Sequence, residues 1–268
     1  MAKKAKRDKV FLVSSNSKEA SSAIHHVIST GRSKLLVENS DNVVFCETRL
    51  IGVFGGDSTM LGAMNDYHKH GIPFLGFNYG NVGALMNPTE NLCAHMFLGR
   101  PISYFRPIVI RPLKVIVPLN KGRERELFAF NDVVFKSEQG VCQGTVEGER
   151  YPRHHFRGDG LIICTPSGST AYSRSAGGSL FPLELNAVGI TSICSIYNPI
   201  RTVERAQEFV VRFTPRSQVS VEIDGKKVGN AESARVSLVE SGRKATLLYL
   251  PDYDLEVMRY KVPEPPKN

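Results

Sequence analysis

No stretch of this sequence approaches the ~18 consecutive apolar residues that a membrane-spanning helix needs, so a helical integral membrane protein is excluded. The basic start, Met1 to Arg7, leads into polar residues and one short apolar run. It offers no signal-peptide core and no small-residue cleavage site. The five cysteines (Cys46, Cys93, Cys142, Cys164 and Cys194) are odd in number, widely spaced and without a Cys-x-x-Cys pair. That argues against a disulfide framework or a zinc site and for reduced thiols, and a cytoplasmic location is expected. A Walker A loop is missing, and no Gly-x-Gly-x-x-Gly follows any strand pattern. Disorder is excluded too: 41% of the 268 residues are hydrophobic and 22% charged, enough for one large domain or about two ordinary ones.

Charge of one sign is in excess. The net charge is +8, which favours anionic partners such as nucleic acid, acidic lipid or phosphorylated small molecules. Nucleic acid has only the charge in its favour, because no basic–aromatic stripe and no recognised nucleic-acid module is present. Part of the charge sits in the first nine residues, which read as a solvated tail.

Strand and helix patterns alternate in the first hundred residues. Val10–Val13 reads as a buried strand, and Ser17 caps a helix whose apolar positions are Ala20, Ala23, Ile24, Val27 and Ile28. Val43–Cys46 and Leu50–Phe54 read as further strands. A second helix carries Met60, Leu61, Met64 and Tyr67, and Ile72–Phe77 reads as the next strand. This alternation predicts a Rossmann-like α/β domain with a parallel sheet over residues 1–103. From about Tyr104 the pattern becomes mostly β, predicting an all-β, sandwich-like domain over 104–250. Hairpin signals fall at Asn120–Arg123, Asp224-Gly225 and Ser241-Gly242. Residues 251–268 are expected to return to the first domain and to end in a disordered Pro-rich tail.

Four motifs carry chemistry. Gly55-Gly56-Asp57-Ser58-Thr59 ends a predicted parallel strand and opens a helix, the edge where open α/β sheets place ligands. Its glycines allow close backbone approach, and the helix start offers N–H groups to an anion. Asp57 suits contact with a ligand hydroxyl or a metal, or serves only as a helix cap. Gly76 to Gly83 forms a second glycine loop on the same edge, with Gly80 and Gly83 in it. Asn131-Asp132 interrupts the strand run Leu127–Phe135; a hydroxyl-bearing ligand would satisfy these side chains, and so would an exposed strand edge. Finally, Arg157-Gly158-Asp159-Gly160 and Thr165-Pro166-Ser167-Gly168-Ser169-Thr170-Ala171-Tyr172 bracket a buried strand, Leu161–Cys164. Small side chains there let a ring or sugar lie against the backbone.

In their order, these segments resemble the signature of the NAD kinase family: a Gly-Gly-Asp-Gly-Thr loop, a later Asn-Glu, then Asp-Gly followed by Thr-Pro-x-Gly-Ser/Thr-Thr-Ala-Tyr. The resemblance covers about the whole chain. It implies transfer of a phosphoryl group from ATP or polyphosphate, with Mg²⁺ on the donor, to the adenosine ribose 2′-hydroxyl of NAD. On that resemblance Asp57 is the base, and Gly55, Gly56, Ser58, Thr59, Gly80 and Gly83 surround the phosphates. Asn131 and Asp132 hold the ribose. Ser167, Thr170 and Ala171 border the adenine, and Tyr172 packs on the nucleotide. Arg157 and Asp159 lie near the nicotinamide side or a subunit contact of a homo-oligomer, dimer or tetramer, and Asp224 matches a late family Asp. No dedicated metal cage is visible. Two departures stand out: Ser58 replaces a glycine, and Asp132 replaces a glutamate. A lipid or sugar kinase sharing the Gly-Gly-Asp loop, and a non-catalytic NAD(P)-binding homologue, are the alternatives.

Overall fold

The structure, a computed structural model, describes residues 9–30, 35–37, 45–89, 94–118, 123–195, 197–215, 217–254 and 259–260. It divides into two compact units: Met1–Ile110 with Lys244–Asn268, and Arg111–Arg243.

The first unit begins with β1 (Lys9–Ser14) and α1 (Lys18–Thr30). Ser17 Oγ accepts the Ala20 N–H at 3.2 Å, an N-cap bond, and α1 buries Ala20, Ile24 and Val27. There follow β2 (Leu35–Val37), β3 (Thr48–Gly55), α2 (Asp57–Tyr67), β4 (Phe74–Asn78), α3 (Ala94–Leu98) and β5 (Arg106–Ile110). The expected strand Val43–Cys46 is corrected in its described part. Phe45–Glu47 is a 3-10 turn, in which the Phe45 ring turns away to stack on His70 at 4.0 Å and to meet Phe11 at 5.5 Å.

The second unit carries β6 (Leu113–Pro118), β7 (Glu124–Ala129), β8 (Asp132–Ser137), β9 (Cys142–Gly148), β10 (Tyr151–Gly158) and β11 (Gly160–Cys164). The short helix α4 (Tyr172–Ser175) comes next, then β12 (Ala187–Ile193), β13 (Arg201–Arg205), β14 (Phe209–Phe213), β15 (Val219–Ile223), β16 (Lys226–Asn230) and β17 (Ser233–Leu238). The last strand, β18 (Ala245–Tyr249), belongs to the first unit.

The sheet of the first unit runs β2-β1-β3-β4-β18-β5. Its strands are parallel from β2 to β4, as the alternation predicts. β18 pairs antiparallel with β5 but meets parallel β4 at a single register pair, Leu247 opposite Phe74. Asn87 completes this thin seam. It is buried, and its Nδ2 donates to Gly76 O at 3.0 Å and to Leu248 O at 2.9 Å. Its Oδ1 accepts the Leu250 N–H at 2.9 Å. One amide side chain thus replaces the ladder where two strands diverge.

The second unit is a sandwich of two antiparallel sheets, β10-β9-β14-β17-β6-β7 and β13-β12-β11-β8-β15-β16. Alternate residues of both meet in one core, among them Val115, Val146, Phe209 and Val236 from one sheet and Phe135, Ile163, Val188 and Val221 from the other. β11 is buried at every position because its outer face is covered as well: Ile162 and Cys164 pack with Phe181.

Three further expectations are corrected. The run Leu127–Phe135 is two strands: β7 lies in one sheet and β8 in the other, and the chain changes sheet at Phe130-Asn131. Ser241-Gly242 is no hairpin, because β17 pairs with β14 and β6 while β18 crosses to the first unit's sheet. For the same reason the expected boundaries at 104 and 250 lie instead after Ile110 and Arg243. The turn residues 119–122, Leu255, Val257, Met258 and the tail 261–268 lie outside the described residues.

The Asn87 seam yields a test. Replacing Asn87 with Ala removes three hydrogen bonds and leaves buried backbone groups unmet. It should destabilise the protein by about 2–4 kcal/mol, read as a lower urea midpoint at unchanged m.

Candidate active site

In the first unit β3 ends at Gly55, Gly56 caps α2 with extended backbone, and Asp57 is the first helical residue. Gly56 and Gly80 approach backbone to backbone: a Cβ on Gly80 would lie 2.9 Å from Gly56 Cα. The two glycine loops are therefore in contact, bound also by Tyr79 N to Gly55 O at 2.7 Å. The second loop then presents its amides to Asp57. Ala84 N donates to Oδ2 at 3.0 Å and Leu85 N to Oδ1 at 2.8 Å. Each oxygen has one further acceptor position. Gly83, at φ +74°, makes the turn that aims these amides. Thr59 packs its side chain against Gly55. Ser58 is exposed and takes an ordinary helical backbone, so the family glycine is not replaced at a strained angle.

The second unit gathers another cluster. Asp224 heads the turn after β15 at φ 49° and accepts three backbone N–H groups: Phe130 at 3.0 Å, Asn131 at 2.8 Å and Asp132 at 3.2 Å. Its own N–H donates to Asp132 O at 3.0 Å. From the other side Thr165 Oγ1 and Ser167 Oγ both donate to Phe130 O at 2.6 Å, and Thr165 N donates to Asn131 O at 2.9 Å. Gly168 lies so close that a Cβ there would stand 2.0 Å from Asn131 O. The sheet change at Asn131 is thereby clamped from both sides. Its side-chain Oδ1 is buried without a hydrogen-bond partner, the kind of atom that a ligand hydroxyl satisfies. The Asp132 carboxyl is pushed up to about 7, chiefly by burial and further by the charges of Asp224 and Glu222.

The Asn131, Asp132, Ser167 and Asp224 expected from sequence are thus in one cluster. Thr170 and Ala171 follow in the half-buried end of the 3-10 turn Ser167–Thr170, and Tyr172 opens α4 with 38% of its surface exposed. Arg157 and Asp159 are not in this cluster. Both are exposed, and Arg157 shares a groove of about 400 Å³ with Gln143, His155, Tyr197 and Arg212. Among the described residues no group of three His, Cys, Asp or Glu could hold a metal ion, and no helix is long and apolar enough to cross a membrane.

Two family models match the chain: the ATP-NAD kinase N-terminal domain over residues 8–96 and the ATP-NAD kinase C-terminal domain over residues 131–250. The chain belongs to the NAD kinase family. It is 33% identical over 186 residues to an NAD kinase of Staphylococcus epidermidis, across 67% of this chain and 66% of that protein, just under two thirds of its length. To the NAD kinase of Rickettsia akari it is 29% identical over 199 residues, 71% of this chain and 76% of the relative. The fold is that of solved NAD kinases. An Archaeoglobus fulgidus NAD kinase, solved in complex with ATP, superimposes at TM-score 0.70 and 19% identity, covering 91% of this chain and 94% of its own. Yeast NADH kinase, solved with NADH, does so at 0.74 and 17%, covering 92% and 84%.

Sequence reasoning missed the Ala84 and Leu85 amides and Asn87. Backbone donors carry no residue signature, and the one available hint was a lone Asn among Ala84, Leu85 and Met86.

Asp132 gives the site a pH signature. Its carboxyl holds its proton up to about 7 when folded, against an ordinary 3.8. The native state is therefore favoured below the ordinary value and loses stability as pH rises through about 7, at about 1.4 kcal/mol per pH unit between the two. Denaturant titrations at pH 4, 5.5, 7 and 8.5 should show Asp132→Asn gaining on wild type with rising pH, by a few kcal/mol in total.

Proposed function

We propose that the chain is an NAD kinase, moving a phosphoryl group from ATP to the adenosine ribose 2′-hydroxyl of NAD and so making NADP. The observation that carries this reading is the Asp57 carboxylate. It stands at the strand-to-helix turn with one lone pair on each oxygen engaged by a backbone amide. A carboxylate so oriented accepts a proton along a fixed direction, the requirement for a general base. The 2′-oxygen attacks the terminal phosphorus, its proton passes to Asp57, and the bond from that phosphorus to the leaving nucleoside diphosphate breaks.

The first turn of α2 and the touching glycine loops, with Gly55, Gly56, Ser58, Thr59, Gly80 and Gly83, offer N–H groups to the donor phosphates. The Asn131 Oδ1 accepts a ribose hydroxyl, and Asp132, neutral on the acid side of about 7, donates to one. Ser167, Thr170 and Ala171 border the adenine, and Tyr172 packs on it. Asp224 acts by holding the Asn131-Asp132 backbone. A divalent cation such as Mg²⁺ enters on the donor, held by phosphate oxygens and water and not by a protein cage. Polyphosphate is the alternative donor. The working state is a cytoplasmic homo-oligomer in which Arg157 and Asp159 face a neighbouring subunit. Sedimentation at assay concentration should find a dimer or tetramer, and a fully active monomer would refute this.

NADP formation from NAD, ATP and Mg²⁺ tests the activity. Asp57→Asn should lower turnover about 10²–10⁴-fold with NAD affinity nearly unchanged. Ser58→Gly should raise the rate or leave it alone. An Asp57→Asn enzyme as fast as wild type removes Asp57 from the mechanism. A wild type inactive with every donor, beside an active Ser58→Gly, would favour a non-catalytic NAD(P)-binding protein.

A further inference from the structure

Tyr172 is held by more than its own helix. α4 is a single turn, too short to persist by itself, and 38% of the Tyr172 surface is exposed. The anchor is the far end of α4. Gly178 N donates to Ser173 O at 2.8 Å and Gly177 N to Arg174 O at 3.0 Å, with Gly177 at φ +83°. These paired bonds around a left-handed glycine form a Schellman cap. Ala176 N donates to Tyr172 O at 3.0 Å, so the capped turn is bonded directly to Tyr172.

The cap in turn is docked on the sheet. Ser173 Oγ and Thr191 Oγ1 of β12 lie 3.1 Å apart, and both residues are buried. A Cβ on Gly178 would stand 2.3 Å from the first hydroxyl and 2.5 Å from the second. Only glycine lets the turn come down onto that pair. Arg201 stands opposite Thr191, on the edge strand β13. Its Nε, Cζ and Nη2 lie 3.2, 3.2 and 3.4 Å from the place of a Gly177 Cβ. Three near-equal distances lay the guanidinium plane flat over the turn, a contact that needs the rigid plane of arginine and not merely its charge. The side chain of Arg201 is exposed, so removing it opens no hole in the core.

We propose that Arg201 is a positioning residue for Tyr172: its guanidinium covers the Gly177-Gly178 turn, holds α4 against β12 and β13, and so fixes the ring that packs on NAD. This rests on the reading of Tyr172 as a wall of the nucleotide site. Arg201 acts through the backbone of α4 and serves binding, not the phosphoryl transfer itself.

The test measures NADP binding by calorimetry and steady-state NADP formation for Arg201→Ala, Arg201→Lys and Tyr172→Ala. Each arginine change is also combined with Tyr172→Ala, and Tm is taken on all. Arg201→Ala should weaken NADP binding and raise the KM for NAD by about threefold to tenfold, part of what a stacked ring supplies. Its kcat should stay within about twofold of wild type. Arg201→Lys should behave like Arg201→Ala, because it keeps the charge and loses the plane. In the Tyr172→Ala background neither change should cost anything further. Without ligand, a Tyr172→Trp protein carries its sole tryptophan at this position, and its fluorescence anisotropy should fall when Arg201→Ala is added. Wild-type NADP affinity in Arg201→Ala overturns the proposal. So does full affinity in Arg201→Lys, which would make the charge the working part. A loss equally large without the Tyr172 ring, or one that tracks a falling Tm, overturns it too. If Tyr172→Ala binds NADP as wild type does, the nucleotide-wall reading fails and the proposal with it. A weakened Tyr172→Ala beside an unaffected Arg201→Ala defeats the proposal alone.

Discussion

A carboxylate that spends its lone pairs on backbone amides from a distant part of the chain is the constraint on which the polar cluster of each unit depends. In the second unit Asp224 takes the N–H groups of three successive residues, Phe130, Asn131 and Asp132, where the chain leaves one sheet for the other. Without that acceptor the sheet change would bury unmet donors. With it, the Asn131 side chain is free of backbone duty and its Oδ1 stands unpartnered. In the first unit Asp57 plays the same part toward Ala84 and Leu85, whose amides fix the orientation of its carboxylate.

This economy explains why the glycines stand where they do. Gly80 lets one loop touch the other at Gly56, and Gly168 lets the Thr165–Thr170 segment lie on the Asn131 carbonyl. In both places backbone meets backbone, and a side chain would push apart the two segments that make the site. Ser58 breaks no such contact. It sits on the exposed, helical side of Asp57, where L-residues are at ease. The departure from the family loop thus leaves unchanged how Asp57 is held.

The same contacts set the electrostatics. Clamping the strand change buries Asp132 beside two other acids, and burial is the first cause of its raised pKa. The seam at Asn87 ties the end of β18 to the loop whose amides hold Asp57, and the Tyr249 and Tyr253 hydroxyls nearby in the chain are buried without a hydrogen-bond partner. Polar groups under cover of a core are expensive to keep.

Local order was legible in the sequence. Apolar runs of four or five residues, a Ser cap and glycine punctuation foretold β1, α1, β3, α2 and β4, and Asp224-Gly225 foretold its hairpin, because these depend on neighbours within a few positions. The two acidic loop positions and the Asn-Asp pair were legible as well, since a polar residue within an apolar pattern needs a reason. Tertiary structure alone decided that Leu127–Phe135 breaks between two sheets, that β18 leaves its sequence neighbour β17 for the sheet of β4 and β5, and that the Ala84 and Leu85 amides donate to Asp57. Strand pairing across more than a hundred residues is settled by which edge has unmet donors and which face has unburied apolar surface. Those quantities belong to the folded whole and to no window of the chain.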